Sequence, residues 1–458
     1  MGKTKPTNEQ ILSEMPTARA IRRLAVPAIM GTLITAVYNL VDTAFIGMLH
    51  ATEALSAIAI AFPIMALLNA IGQILGVGAA ACIGIALGAK RQRQAGEIAT
   101  TVIVLSLVCG AAFAALGLFF QTPIFRFFGA SDAVLPYARQ YGTWMYVGAI
   151  FTIPNQALNN VARAETNAKL SAVALGVGAL VNLILDPLFM FDFGMGLGIA
   201  GASIATLIAQ GVSFALLMGY FLRGKALLRL TRTAFRPTRK MLWDVLKTGS
   251  PSGASQVLVS LSVAVTNVVA AGYGDFVVAA LGVVLKVISF GQFIIFGYVQ
   301  GFQPIASYSF GAKNHARLAQ AFQDALKFVV LTCGLMTIVY IALRYPILRV
   351  FSQDPSVLAV AAPILVSQVL LYVAMGVVIL MTALFQSIDR GLQGIVLSIA
   401  RQGIFFFPLL FLFTRYWGLA GLYFTQPASD LLSLALAFLL YRRVKRHLSS
   451  APQKASGK

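Results

Sequence analysis

Only 15 of the 458 residues are acidic, and three of them sit where an acid is expensive to keep. Asp42 lies in the middle of an apolar run, within Tyr38-Asn39-Leu40-Val41-Asp42-Thr43. Asp186 stands between Asn182-Leu183-Ile184-Leu185 and Pro187, and Asp430 follows Pro427 in a later apolar run. A charged carboxylate at the centre of a bilayer costs on the order of 3 kcal/mol or more by insertion scales. Such a group is held with a proton or a small cation, and gaining or losing that ion is the chemistry these positions offer. Tyr38 and Asp42 are four residues apart, as are Asn182 and Asp186, so each pair shares one helix face. A phenol or an amide there can serve the acid in either protonation state. The competing reading is structural, with each acid satisfied by polar neighbours or a basic side chain; ion exchange is the reading taken for Asp42 and Asp186. Lys286, in the eighth apolar run, and Asp430 both belong to the second half of the chain, where a buried ion pair could simply lock that half together. Glu165, beside Arg163 at the end of the fourth run, is read as a surface salt bridge or as a group greeting a cationic substrate at the mouth of a cleft.

The elements that would position these groups are transmembrane helices. Hydrophobic residues make up 59% of the chain and charged ones 11%, with a mean hydropathy of +0.82. Soluble proteins keep about a quarter of their residues charged. The apolar residues fall in runs long enough to cross about 30 Å of hydrocarbon. Six runs lie near 24–49, 54–89, 98–121, 136–158, 170–191 and 198–222, and six more near 248–272, 277–312, 320–343, 357–386, 392–414 and 418–441. The fold class is therefore all-α integral membrane with twelve spans. The runs at 54–89 and 277–312 exceed one crossing and carry late glycines (Gly76 and Gly78; Gly297 and Gly301), which predicts a tilted span followed by a bent extension. Prolines such as Pro27, Pro251 and Pro427 mark kinks.

Net charge is +20, and the basic residues cluster between apolar runs, as topology signals do and as nucleic-acid surfaces do not. The N-terminal tail, the C-terminal tail and the stretch 223–247 hold most of them, so an even number of spans puts both termini in the cytoplasm. The expected organisation is an N-terminal tail at 1–23, a six-helix lobe at 24–222, a basic linker at 223–247, a second lobe at 248–441 and a tail at 442–458. No cleavable signal is read, because the first run is too long for a signal peptide. Cys82, Cys109 and Cys333 lie inside apolar stretches without metal-ligand spacing. His50, His315 and His447 fall at span ends or in tails, and no nucleophile motif accompanies them, which disfavours a membrane enzyme. No cofactor is expected, and a monomer in the bilayer is.

Shifting the sequence by about 223 residues superimposes it on itself. Gly88-Ala89-Lys90 meets Gly311-Ala312-Lys313, Pro123-Ile124-Phe125-Arg126 meets Pro346-Ile347-Leu348-Arg349, and Gly198-Ile199-Ala200-Gly201 meets Gly418-Leu419-Ala420-Gly421 at a slightly smaller offset. Six spans per half is an even number, so the halves are parallel repeats about an axis along the membrane normal, an arrangement suited to two lobes rocking about a central site.

Tyr38 to Gly47 (YNLVDTAFIG) resembles the first-helix signature of the multidrug and toxic compound extrusion (MATE) transporters. Asn182 to Phe189, followed by Gly201 to Thr206, is similar to that family's fifth and sixth helices. Gly301-Phe302-Gln303-Pro304 with Gly311-Ala312-Lys313 resembles its eighth-helix ending, and Arg163 to Asn167 its segment after the fourth helix, with Thr166 where the family usually has glycine. The resemblance implies a V-shaped pair of six-helix lobes in the cell inner membrane, exporting amphipathic and often aromatic organic cations against H⁺ or Na⁺. It also implies a coupling-ion site at Asp42 and Asp186, lined by Tyr38, Asn182 and Thr206, as in the branch that includes MepA-like exporters. The alternative within the same superfamily is a lipid-linked saccharide flippase, whose cleft would be cationic.

Overall fold

Hydrocarbon offers no partner to a peptide group, so long apolar segments satisfy their own backbone as helices. The computed structural model describes residues 7–48, 52–224, 226–228 and 230–449, and no strand occurs among them. His50, Lys225, Arg229 and the outermost tail residues, including Lys3 and Lys5, lie outside the described residues. Twelve long elements follow one another. The first six are α1 (Thr17–Gly47), α2 (Thr52–Gly88), α3 (Gln92–Phe119), α4 (Leu135–Ala164), α5 (Ala168–Met190) and α6 (Ile199–Leu222). The second six are α7 (Arg239–Ala271), α8 (Asp275–Gly311), α9 (His315–Ala342), α10, α11 (Gly391–Trp417) and α12 (Leu419–Ser449). α10 is Pro355–Leu370 followed by Tyr372–Ser387, bent by 50°, and α11 contains a π-helical turn at Ala400–Ile404. Ten of these helices are long and apolar enough to cross a membrane, and the bent α10 makes an eleventh.

The twelfth, α4, is 30 residues long but polar over its last turns. Most of those polar groups find partners inside the lobe: Asn155 Nδ2 donates to Gln210 Oε1 of α6 at 2.6 Å, and Gln156 Nε2 to Asn69 Oδ1 of α2 at 2.6 Å. Arg163 donates to Ser171 Oγ of α5 at 2.7 Å and to Asn160 Oδ1 at 2.9 Å. At membrane depth such bonds hold helices together where the hydrophobic effect cannot. Many large apolar side chains, Val268, Leu331, Ile338 and Phe411 among them, are exposed, as a lipid-facing surface requires.

α2 and α8 are each one unbroken helix of 37 residues, about 55 Å long at 1.5 Å per residue, so the predicted extension continues its span as helix. Their glycines serve to bring the two lobes together. Helices α1 to α6 form one lobe and α7 to α12 the other, and the lobes meet through α1 against α8 and α2 against α7. A Cβ on Gly301 would lie 2.5 Å from the Ala25 backbone nitrogen, and one on Gly78 would overlap the Val245 carbonyl oxygen. Gly78 and Gly301 answer to each other in the duplication, so the interface repeats the pseudo-symmetry of the sequence. Gly88 and Gly311 likewise approach Tyr308 and Ile85, which are themselves equivalents. This is small-residue packing of the kind that joins helices in lipid.

The closely approaching end also carries the first described residues and the later part of α12. Arg317 donates to the Leu12 and Met15 carbonyls at 2.8 Å each, Thr17 Oγ1 donates to Asp324, and the Phe322 and Tyr441 rings stack at 5.4 Å.

Candidate acid-pair site in the first lobe

α5 packs on both α1 and α6, which brings three separate stretches of sequence to one place. α1 supplies Tyr38 and Asp42, α5 supplies Asn182 and Asp186, and α6 supplies Thr206. Asp42 and Asp186 are within hydrogen-bonding reach of each other, and Tyr38 is within reach of Thr206. Asn182 Nδ2 donates to Asp186 Oδ1 at 3.1 Å and lies 3.2 Å from Thr206 Oγ1. Asp186 and Asn182 are each only 1% exposed.

Neither carboxylate makes an ion pair among the described residues, and three oxygens at the site, Asp42 Oδ1, Asp186 Oδ2 and Asn182 Oδ1, are buried without a hydrogen-bond partner. Leaving a buried polar atom unmatched costs about 1–3 kcal/mol, more where charge is involved. Two carboxyl groups in contact cannot both hold a full negative charge without a proton or cation between them. The arrangement can take up one small positive ion and change its hydrogen bonding as it does so. Among the described residues no cluster of three or more His, Cys, Asp or Glu could hold a metal; carboxylate, amide and hydroxyl oxygens are hard ligands, suited to H⁺ or Na⁺.

Tyr141, on α4, belongs beside this group and was not among the predicted site residues. It is buried, its hydroxyl lies 3.6 Å from Met65 Sδ, and its phenol is close enough to feel the charges of Asp42 and Asp186. The sequence marks Tyr141 only as an aromatic near the fourth span; its place depends on how α4 packs.

Two expectations are corrected. The partner of Asp430 is Arg401, not Lys286: Arg401 Nε lies 2.7 Å from Asp430 Oδ1, and Gln426 Nε2 donates to the same oxygen at 3.0 Å. Arg401 sits in the π turn of α11, facing α12, whereas Lys286 is exposed on α8. Glu165 is neither a surface salt bridge to Arg163 nor at the mouth of a cleft. Its side chain has no exposure, and its Oε2 accepts the Leu228 N–H at 3.3 Å, tying the segment that joins the lobes to the turn after α4. Burial pushes the Glu165 carboxyl up to about 7, against hydrogen bonds from Tyr220 and the Leu228 and Leu227 amides.

The MatE family model matches residues 27–188 and again 251–412, one copy in each lobe. The chain is 28% identical over 436 residues to the multidrug export protein MepA of Staphylococcus haemolyticus, covering 94% of both chains. It is 27% identical over 431 residues to MepA of Staphylococcus aureus, covering 93% of this chain and 94% of that one. Among solved structures, an outward-facing multidrug resistance MATE transporter of the MOP superfamily superposes with a TM-score of 0.92 at 24% identity, covering 98% of this chain and 100% of that one. An Asp-to-Asn variant of the Vibrio cholerae MATE transporter VcmN does so at 0.88 and 25% identity, covering 94% and 97%.

Proposed function

The chain belongs to the MATE family, and on that premise we propose that it exports small amphipathic or aromatic organic cations in exchange for H⁺ or Na⁺. As a member of the family it is a membrane transporter and not an enzyme. The observation that carries the coupling part of this reading is the acid pair, Asp186 buried and Asp42 half-buried between three helices, with no ion pair to either among the described residues. The export of multiple drugs by the MepA relatives supports a broad substrate range.

The coupling ion enters at Asp42 and Asp186 while the terminal ends of the lobes are together and the cleft is open at the opposite side. Its arrival removes negative charge and supplies the unmatched oxygens with a partner. α1 then bends near Pro27, whose missing N–H leaves the Arg23 carbonyl without its helical bond, and repacks on α5 and α6. Substrate held by the former charge and shape of the cleft is released. Separation of the terminal ends delivers the ion to the other side. Both termini and the linker 223–247 are placed in the cytoplasm, since most Lys and Arg lie there, with the lobes at 24–222 and 248–441 crossing the cell membrane.

Dye efflux from vesicles under separately imposed proton and sodium gradients tests the reading. One gradient drives efflux of an ethidium-type dye, and Asp42→Asn and Asp186→Asn each abolish the driven component. Efflux by both variants at the native rate would refute the coupling scheme.

A further inference from the structure

At the end of the molecule where Arg317 holds the Leu12 and Met15 carbonyls, the lobes border a half-open cavity of about 450 Å³. Lys90 and Arg91 line it from the first lobe; Tyr308, Ser309, Lys313 and Arg317 line it from the second. The lining holds four cations and no acid, and none of the four is ion-paired among the described residues. Glu9 of the short helix Asn8–Ser13 lies near enough to act on Tyr308. Arg317 is held in place by the Leu12 and Met15 carbonyls, which orient a guanidinium without neutralising it. Ser309 is fully buried, and its Oγ has no hydrogen-bond partner.

Lys90 and Lys313 answer to each other in the duplication and close α2 and α8 at φ 60° and 57°. Their backbone amides are already bonded, to Leu87 and Phe310 oxygens at 3.0 Å each, so what they offer the cavity is their ammonium groups. Left-handed backbone is unfavourable for lysine, and both halves of the chain keep one there.

From this geometry we propose that the cavity binds a phosphate-bearing anion, clasped by Lys90 of one lobe and by Lys313, Arg317 and Ser309 of the other. Phosphate oxygens accept from ammonium, guanidinium and hydroxyl donors together, which is the donor set present. Because both lobes contribute, the occupant holds this end of the molecule closed. The inference concerns binding and stands apart from the transport reading.

The test follows thermal unfolding of the full chain in two arms: in detergent titrated with inorganic phosphate, and in vesicles of phosphatidylethanolamine with and without phosphatidylglycerol. The midpoint rises in at least one arm. A rise with inorganic phosphate identifies a soluble phosphate as the source; a rise with phosphatidylglycerol alone identifies a lipid headgroup. Lys90→Asn with Lys313→Asn, a residue that tolerates positive φ, weakens the response about thirtyfold in apparent affinity, at about fivefold for each lysine. Either single substitution, weakening it about fivefold, serves if the double variant does not fold. Arg239→Ala with Lys240→Ala removes the same charge from the exposed start of α7 and leaves the response intact. No rise in either arm, a rise that the lysine variants retain, or one that the α7 control abolishes equally, overturns the proposal.

Discussion

Replacing Glu165 by Gln puts the buried carboxyl between α4 and α5 to a quantitative test. The side chain has no exposure, and its Oε2 accepts the Leu228 N–H. Burial raises the carboxyl from 4.5 to about 7. That difference corresponds to about 3 kcal/mol, or about 300-fold in the folded-to-unfolded ratio. The folded chain keeps its proton through a pH range in which the unfolded chain has released it. The stability associated with Glu165 is therefore complete below about pH 4.5, declines as pH rises, and is gone above about pH 7. Glutamine preserves the shape and polarity of the protonated acid and does not titrate. Unfolding of the purified full chain, followed at a series of pH values from about 4.5 to about 8, gives similar stability for the two proteins at the acid end. At the alkaline end the Glu165→Gln variant is more stable by about 3 kcal/mol. Parallel curves over the whole range would show that the carboxyl is solvated or paired, and the assignment of Glu165 as a buried anchor would fall.

Arg401→Met leaves Asp430 buried without its cation and lowers stability by about 3–5 kcal/mol; adding Asp430→Leu recovers most of the loss, while Lys286→Ala leaves the thermal midpoint unchanged. Gly301→Ala forces a methyl group against the Ala25 backbone and costs about 1–3 kcal/mol, whereas Gly282→Ala, with nothing within 4 Å, is neutral or stabilises by up to about 1 kcal/mol; equal midpoints for the two variants would refute the close approach of α1 and α8. Thr166 holds φ 71°, an outlier for a β-branched residue, so Thr166→Gly raises stability by about 1 kcal/mol, and a lowered midpoint would count against strain at that turn.

The spans were legible because hydrocarbon imposes a length and a composition on any segment that crosses it, and α1 to α12 all fall on the predicted runs. The convergence of Asp42 with Asp186 was legible through the resemblance, and the spacings Tyr38 to Asp42 and Asn182 to Asp186 placed the right side chains on shared faces. Partner choice was not legible. Periodicity says which face of a helix a residue occupies but not which other helix that face meets, so Lys286 and Arg401 were equivalent candidates for Asp430. Arg401 lies between Ala400 and Gln402 within 392–414, and nothing in that setting names Asp430 as its partner. The burial of Glu165 escaped for the same reason: its ligand, the Leu228 amide, is 63 residues away in a polar stretch that looks solvated in sequence. The partners of the polar residues on α4, Gln210, Asn69 and Ser171, come from three other helices and were not legible either.

Duplication gave the protein two similar lobes, but among the described residues the buried acid pair has no counterpart in the second. Asp186 precedes Pro187 in α5; the equivalent proline in α11, Pro408, is preceded by Phe407, and α7 carries no acid after Asp244. The acid that the second lobe does bury, Asp430, is ion-paired with Arg401 and accepts a further bond from Gln426. On the proposed coupling, the driving ion therefore acts on the first lobe alone, and its effect reaches the second through an element that carries the site and also touches that lobe. α1 is that element. It carries Asp42 near one end, while Ala25, Ile29 and Thr32 nearer its start touch α8, the last through a 2.9 Å bond to the Phe293 carbonyl. Thr32 and Asp42 are about 15 Å apart along the helix axis at 1.5 Å per residue. Pro27 lies between Ala25 and Ile29, inside the contact itself. A bend there changes how Gly297 and Gly301 seat against α1 without any second relay, so ion uptake at Asp42 and the parting of the lobes are two ends of one helix.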